Sequence, residues 1–399
     1  MVAVTQRSTM GVASLEASER FSTSAAQLAS LAVLQLVVYA SMQVPVGILL
    51  DRFGPRAMLS IGAVVMALGQ ALVSMSHTLE WAILGRMLVG MGDAFTFISM
   101  IRMSNNWLSG PKAALAQQWL ATIGQLGQIL SAVPFAILLH SAGWPVAFGS
   151  MAIFGLAIGC AVFLGAKDSA IPGEHRSASI ADVWKTLRRN FKRPSVRMAF
   201  WTHFSTQSSG TTFALLWGVP FLEGAEGKSA AYAASVLTVF VLTNAVLGPV
   251  IGVFTAKYPE RRLQFVVGVV LLVALAWIIV LCSPGTIPDW MGFLLVVMIG
   301  VGGPTSMVAF DYSRSYVIKS ELGVTNGFIN IGGFLASLTM MASIGLVLDL
   351  FHESNSPQSL YSAEAFRVAL ASQFAVLAIG LIGLLRNARR TAQSEVQLV

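Results

Sequence analysis

The chain has 399 residues, a net charge of +7, 55% hydrophobic and 11% charged residues, and a mean hydropathy of +0.73. Soluble domains carry roughly 25% charged and about 45–50% apolar residues, so this composition excludes a soluble enzyme and a disordered chain. Cys160 and Cys282 both sit in apolar runs without metal-ligand or C-x-x-C spacing, so no disulfide framework, zinc site or cofactor site is readable.

A helix needs about 20 mostly apolar residues to cross a bilayer core. In chain order that ruler predicts spans over 27–50, 57–77, 79–104, 113–140, 144–166, 196–222, 229–256, 262–283, 289–313, 322–351 and 363–386. Residues 1–20 contain Gln6, Arg7, Glu16 and Glu19 and have too few apolar residues to span, and no signal-peptide pattern precedes them. Of the 25 Lys and Arg, Arg20, Lys228 and Arg367 fall in loops of one side and Arg7 and Arg86 inside spans. All the others lie on the opposite side, which is therefore cytoplasmic. The expected location is the plasma membrane, multi-pass, with both termini cytoplasmic in the full-length plan. The basic balance follows from this topology, so no nucleic-acid partner is expected.

The longest polar stretch, 167–195, divides an N-terminal half (1–166) from a C-terminal half (196–399). Within it Ile180, Val183, Trp184, Leu187 and Phe191 recur at helical spacing, Ser179 can cap the start, and Lys185, Arg188, Arg189 and Lys192 cluster on the other side. This pattern predicts an amphipathic helix on the inner membrane face; a solvated linker is the alternative. Gly47-Ile-Leu-Leu-Asp51-Arg52-Phe53-Gly54-Pro55-Arg56 has a degenerate counterpart in Gly252-Val-Phe-Thr-Ala256-Lys257-Tyr258-Pro259-Glu260-Arg261. The glycine, a basic residue, an aromatic and the arginine recur, so the halves form a parallel repeat, with a binding site expected at mid-membrane.

The string G-x-x-x-D-R-x-G-x-R, placed between the second and third spans, resembles the signature loop of the major facilitator superfamily, and the resemblance covers the whole chain. It implies an all-α integral membrane fold of two pseudo-symmetric six-helix halves, a monomer, and rocker-switch alternating access. It also implies a gating role for Gly47, Asp51, Arg52, Gly54 and Arg56, with Asp51 held near neighbouring helix ends in the outward-open state. Ala256 leaves the second copy without that acid.

An ionisable residue inside a span costs about 2.5–3.5 kcal/mol on insertion scales and is a functional candidate. Arg86 and Asp93 are seven residues apart, hence on one helix face about 10 Å apart. Direct pairing between them needs a third group. Arg102 faces the other way near the cytoplasmic end, a gate position. Arg86-Met-Leu-Val-Gly90-Met-Gly92-Asp93-Ala94 is similar to the fourth-helix pattern of the anion:cation symporter branch, with Asp for Glu. The resemblance implies that Asp93 couples a proton; a fixed Asp93–Arg pair holding two helices together is the alternative. Gln6-Arg7-Ser8-Thr9-Met10-Gly11-Val12-Ala13 resembles the first-helix segment of the same branch, which implies that Arg7 grips a substrate carboxylate. Gln6 stands where that segment has an acid, which leaves a second proton site in question. Six residues before Arg7 supply about 9 Å of helix, so the first helix is expected to be truncated, with its opening half encoded upstream of Met1. Gln35, Tyr39 and Gln43 form a polar stripe on the second span; Gln35, Tyr39 and, on the fourth-helix segment, Arg86 are substrate-binding candidates, and Gln43 lies at the gate.

In the C-terminal half His203 and Gln207 share a face of the seventh span, Asn244 lies in the eighth, and Asn326 and Asn330 share a face of the eleventh. His203, Gln207 and Asn330 are substrate candidates; for His203 a packing role is the competing reading. Asp311 and Arg314, three apart, read as a local ion pair at the gate. Gly300, Gly302, Gly303, Gly332 and Gly333 read as close-packing positions. Gly227-Lys228-Ser229 ends like a P-loop, but Leu222 stands where the first glycine belongs. With no catalytic constellation, an enzyme is not expected. The sequence points instead to a proton-coupled symporter of a small organic anion, its partners being that anion, a proton and the bilayer. Two alternatives are a drug or metabolite:proton antiporter and a nitrate/nitrite porter. Against efflux, the helix-5 segment Gly124-Gln-Leu-Gly127 lacks a proline beside its glycine.

Overall fold

A computed structural model describes residues 1–108, 116, 119–120, 123–168, 185, 188–317, 322–355 and 362–396. Most of the predicted linker helix and its Ser179 cap lie outside the described residues. Among the described residues the protein is all helix, and the chain divides into two compact units, Met1–Ala178 and Ser179–Val399.

The first unit begins with α1 (Val2–Val12) and α2 (Ser14–Phe21), separated at Ala13. Of the polar residues that disqualify this segment as a lipid-facing span, Arg7 and Glu16 are half-buried and Glu19 is exposed, whereas Gln6 is buried, as are Thr5, Ser8 and Thr9 beside it. Their polar atoms find partners inside the unit. Gln6 Nε2 donates to Met151 O at 3.0 Å, and the Ser8 and Ser131 hydroxyls lie 2.8 Å apart. In hydrocarbon each unsatisfied polar group costs several kcal/mol, so the polarity of α1 dictates its interior place.

α3 (Ala25–Met75) starts at a capping box in which Ser24 and Gln27 bond each other's backbone N–H. It is broken at Gly54, whose φ of 77° favours glycine. Pro55 starts the returning arm, where its missing N–H is harmless. α4 (Leu79–Trp107) runs back along that arm. Gly69 packs on Gly85 and Gly62 on Gly92, in antiparallel register and seven residues apart on each helix. A Cβ on Gly69 would lie 2.6 Å from Gly85 O, so small residues set this approach. α5 (Gly127–Leu130) continues through a π-helical turn at Ser131–Phe135, which contains Pro134, into α6 (Ala136–Gly165). Gly143, with a φ of 79°, divides α6 into two spans. The corner is locked by Trp144 Nε1, which donates to Val73 O at 2.9 Å, and by Ser74 Oγ, which donates to Pro145 O at 2.7 Å.

The second unit contains α7 (Pro194–Thr212), extended by π-helical turns at Phe213–Trp217 and Pro220–Ala225, then α8 (Ala230–Lys257) and α9 (Arg262–Leu281). A broken helix follows as α10 (Asp289–Gly300), α11 (Gly302–Ser306) and α12 (Val308–Tyr316). The last elements are α13 (Leu322–Asn355), α14 (Ala363–Ala371) and α15 (Gln373–Val396). Its core includes Met198, Ala199, Val266, Val308, Ala309, Tyr312, Ile329 and Leu384. Trp277 Nε1 donates to Ser209 Oγ at 2.7 Å, and Ser209 Oγ to Gln373 Oε1 at 3.0 Å. Gly302 and Gly303 lie against Thr206 O and the Asn244 amide, where a Cβ has no room, as close-packing positions require. The P-loop lookalike is a helix-joining corner: Ser229 caps α8 and Lys228 pairs with Asp289 at 2.7 Å.

Nine described segments are long and apolar enough to cross a membrane. One of them, Ile123–Gly165, contains the Gly143 break and supplies two of the expected spans. The 196–222 span is absent from the nine, because α7 carries a run of hydroxyl and amide residues that face protein.

Candidate functional site

The polar interior of the first unit is built from α1, the first arm of α3, and α4. A helical pitch brings Gln35 and Tyr39 to one face of α3, and both are buried. Arg86 and Asp93 lie on α4, at 0% and 4% exposure. Arg7 Nη1 sits 3.3 Å from Asp93 Oδ2, with its guanidinium 5.7 Å from the centroid of the Tyr39 ring. This is an ion pair without hydrogen-bond geometry, for Asp93 Oδ2 has no hydrogen-bond partner. The Arg7 side chain keeps 19% of its surface exposed against 6% for Asp93, so the arginine is the more accessible partner.

Arg86, expected among the substrate-binding residues, is fully buried and turned to the protein instead. Its Nη1 donates to Gln6 O and Thr9 Oγ1, both at 3.1 Å. Its Nη2 donates to Arg7 O at 2.7 Å and to Gln35 Oε1. Four donors are thus committed to α1 and α3, and the guanidinium is closed off from the surroundings. Arg86 serves here as the positioning residue for the Arg7 backbone. Gln70, on the returning arm of α3, completes the clamp: Nε2 donates to Gln6 O at 3.2 Å. Sequence reasoning missed Gln70; its signal is a fully buried amide in an apolar run. Gln43 Nε2 donates to Tyr39 O at 3.2 Å, a bond along its own helix.

At the signature loop, Gly47, Asp51 and Arg52 belong to α3, but their side chains lie outside the described residues. Gly54 makes the turn, and the Arg56 backbone N–H donates to Asp168 Oδ1 at 2.6 Å. The Arg56 guanidinium donates to Phe163 O. Asn106 Nδ2 and Trp107 Nε1 reach Asp168 O and Lys167 O at 3.0 and 2.9 Å. Asp168, not singled out from the sequence, therefore ties the loop to the ends of α4 and α6. Arg102 is partly buried on α4.

In the second unit, His203 is buried with Nδ1 3.2 Å from Ser306 O and Nε2 3.2 Å from Asn330 Oδ1. Its ring meets Phe310 edge-on. Gln207 lies one turn along, beside Gly333. Asn244 bonds its own helix at Phe240 O. Ser313 Oγ donates to Asn326 Oδ1 at 2.6 Å. Asp311 pairs with Arg314 and lies 3.4 Å from the Thr255 hydroxyl, while Arg262 Nε donates to Thr255 O at 2.9 Å. The degenerate loop copy is thus held by Asp311 and Arg262 rather than by an acid at position 256. The structure brings Arg7, Tyr39, Gln35, Arg86 and Asp93 together in one unit, and His203, Gln207 and Asn330 in the other. Among the described residues no group of His, Cys, Asp and Glu could hold a metal ion.

Residues 1–341 match the family model of the Major Facilitator Superfamily. The chain belongs to this superfamily. It is therefore a multi-pass membrane transporter and not an enzyme. It is 30% identical over 155 residues to a probable L-galactonate transporter of Escherichia coli (strain K12), covering 38% of this chain and 34% of the relative. The chain thus matches about a third of that relative's length. It is 22% identical over 354 residues to a probable sulfoacetate transporter of Cupriavidus necator, covering 84% of this chain and 82% of the relative. A solved bacterial homologue of the human lysosomal transporter Spinster has a TM-score of 0.76 at 15% identity, covering 98% of this chain and 95% of that one. The POT family transporter PepTSo has a TM-score of 0.74 at 12% identity, covering 99% and 97%. These likenesses confirm the fold expected from the signature loop.

Proposed function

We infer that this transporter is a proton-coupled symporter of a small organic anion, working by alternating access, and that its affinities lie with the anion:cation symporter branch. The observation that carries this reading is the buried Arg7–Asp93 pair beside Tyr39. With Asp93 ionised, the pair is neutral and an incoming anion finds no net charge. At 3.3 Å, an effective dielectric near 20 makes the attraction about 5 kcal/mol. Protonating Asp93 cancels that attraction and leaves the Arg7 charge uncompensated for a substrate carboxylate or sulfonate, which its fork can bind. Proton and anion then load together, which is symport. The unfilled Asp93 Oδ2 gives the proton a place to go. Tyr39 supplies a neighbouring hydroxyl, and Arg86 holds α1 in register.

The names of two relatives, for galactonate and for sulfoacetate, support the anion class. In this reading the protein acts as a monomer in the plasma membrane with both termini cytoplasmic. The test is proton entry into proteoliposomes on addition of L-galactonate, sulfoacetate, dicarboxylates, nitrate or cationic drugs. Symport predicts proton entry with one anion class. In Asp93→Asn, proton-driven accumulation is lost while counterflow persists, because the neutral amide mimics the protonated acid. Full accumulation by that variant refutes the role of Asp93. Proton movement with cationic drugs and none with any anion moves the assignment to an antiporter.

A further inference from the structure

A basic groove at the start of α7 has no place in the transport cycle described above. Lys185, Arg188, Arg189, Lys192 and Arg193 surround a cavity of about 1110 Å³ whose remaining walls are Phe191, Pro194 and Phe328. Lys185, Arg188, Arg189 and Lys192 fall at i, i+3, i+4 and i+7 in the sequence, and all four line the groove. None of Lys185, Arg188, Lys192 and Arg193 has an acidic partner among the described residues, and no acid is among the lining residues. The apolar wall is built, not incidental: Phe191 meets Phe328 edge-on at 5.3 Å, and Phe328 stacks on Phe200 at 5.0 Å. Yet Phe191 stays 52% exposed.

Five cations line one groove with no acid in its wall, so the groove is complementary to an anion with more than one oxygen to offer. Its position selects the source. Arg193 is the N-cap of α7 and Pro194 its first residue, so the groove lies where the polar linker meets the helical bundle. A soluble anion has no use for the exposed phenyl wall. A phospholipid does, because its glycerol and acyl esters follow directly on its phosphate. We propose that this groove binds the phosphate headgroup of an acidic phospholipid, with the Phe191–Phe328 wall taking the glycerol and first acyl carbons.

The test uses the full-length, delipidated protein in detergent. Thermal unfolding and native mass spectrometry compare dioleoyl phosphatidylglycerol with dioleoyl phosphatidylcholine, with 10 mM inorganic phosphate as a separate arm. The expected result is selective binding of, and stabilisation by, the phosphatidylglycerol. The triple variant Arg188→Gln, Lys192→Gln, Arg193→Gln binds it roughly 100-fold more weakly, at about fivefold per cation removed. The charge-preserving triple variant Arg188→Lys, Lys192→Arg, Arg193→Lys keeps the selectivity. Should the neutral triple variant fail to fold, Arg193→Gln alone is read for the fivefold loss. Equal binding of the two lipids, or undiminished selectivity in the neutral variant, overturns the proposal. Stabilisation by inorganic phosphate equal to that by the acidic lipid also overturns it, because the groove then serves a soluble anion.

Discussion

Replacing Arg86 by lysine separates the charge of that position from its geometry. The arginine has 0% exposure and donates four hydrogen bonds, to Gln6 O, Thr9 Oγ1, Arg7 O and Gln35 Oε1. A lysine ammonium keeps the charge but has three donors radiating from one point on a shorter reach. At least one of the four acceptors is abandoned, and the fork that spans α1 and α3 cannot be reproduced. Hydrogen bonds to charged groups contribute about 1.5–3 kcal/mol each, so losing one or two costs roughly 2–6 kcal/mol. The same loss reaches the function. Arg7 O is one of the acceptors, so α1 loses the contact that sets the depth of the Arg7 guanidinium. A misplacement of about 1 Å at a reacting or binding group can cost on the order of 100-fold. Arg86→Lys is therefore expected to fold with reduced thermal stability and to raise KM for the anion on the order of 100-fold, measured by counterflow in proteoliposomes. The proton-coupling ratio of the transport that remains is unchanged, because Asp93 is intact. Wild-type KM and wild-type melting together would refute the positioning role. A changed coupling ratio at unchanged KM would place Arg86 in proton transfer instead.

Three further outcomes follow from the packing. In Gly90→Ala, the new Cβ falls on the backbone of Gln35, with Gln35 C only 3.0 Å away. Folded yield in detergent, measured by size-exclusion chromatography, should collapse, whereas Gly124→Ala, with nothing within 4 Å, should match wild type or gain up to about 1 kcal/mol. Asp168→Ala removes the acceptor of the Arg56 backbone N–H at 2.6 Å, a loss comparable to an N-cap at about 0.5–2 kcal/mol. Limited trypsin digestion should then cut faster at Arg56, and an unchanged rate would count against the tie. Trp277→Phe deletes the donor to the buried Ser209 hydroxyl at 2.7 Å while retaining most of the ring volume. Thermal unfolding should report a loss of about 1–3 kcal/mol, and a neutral result would show that the Ser209–Gln373 bond stands without it.

What could be read from the chain was whatever depends on composition and local spacing. Apolar runs long enough for a bilayer, the G-x-x-x-D-R-x-G-x-R loop and its degenerate copy, and the charges of Arg7, Arg86 and Asp93 inside spans are properties of neighbouring residues. Lipid imposes them directly, because each span must be apolar and each buried charge is costly. α1 marks where that logic stops: its polarity reads as unfit for a membrane, yet it is buried in protein, and hydropathy cannot tell protein from water as the neighbour of a polar face. Partner choice was likewise beyond the sequence. Arg86 and Asp93 share a helix face, but Asp93 pairs with Arg7, from a segment far away in the chain, while Arg86 turns its donors to the α1 backbone. Gln70 and Asp168 escaped notice for the same reason, since an uncharged amide and an acid outside any motif gain meaning only from the α1 carbonyl and the Arg56 N–H that packing sets beside them. Burial and charge type are local and legible; which donor meets which acceptor is decided by how the helices cross, and the Gly62–Gly92 and Gly69–Gly85 contacts that set one such crossing exist only in three dimensions.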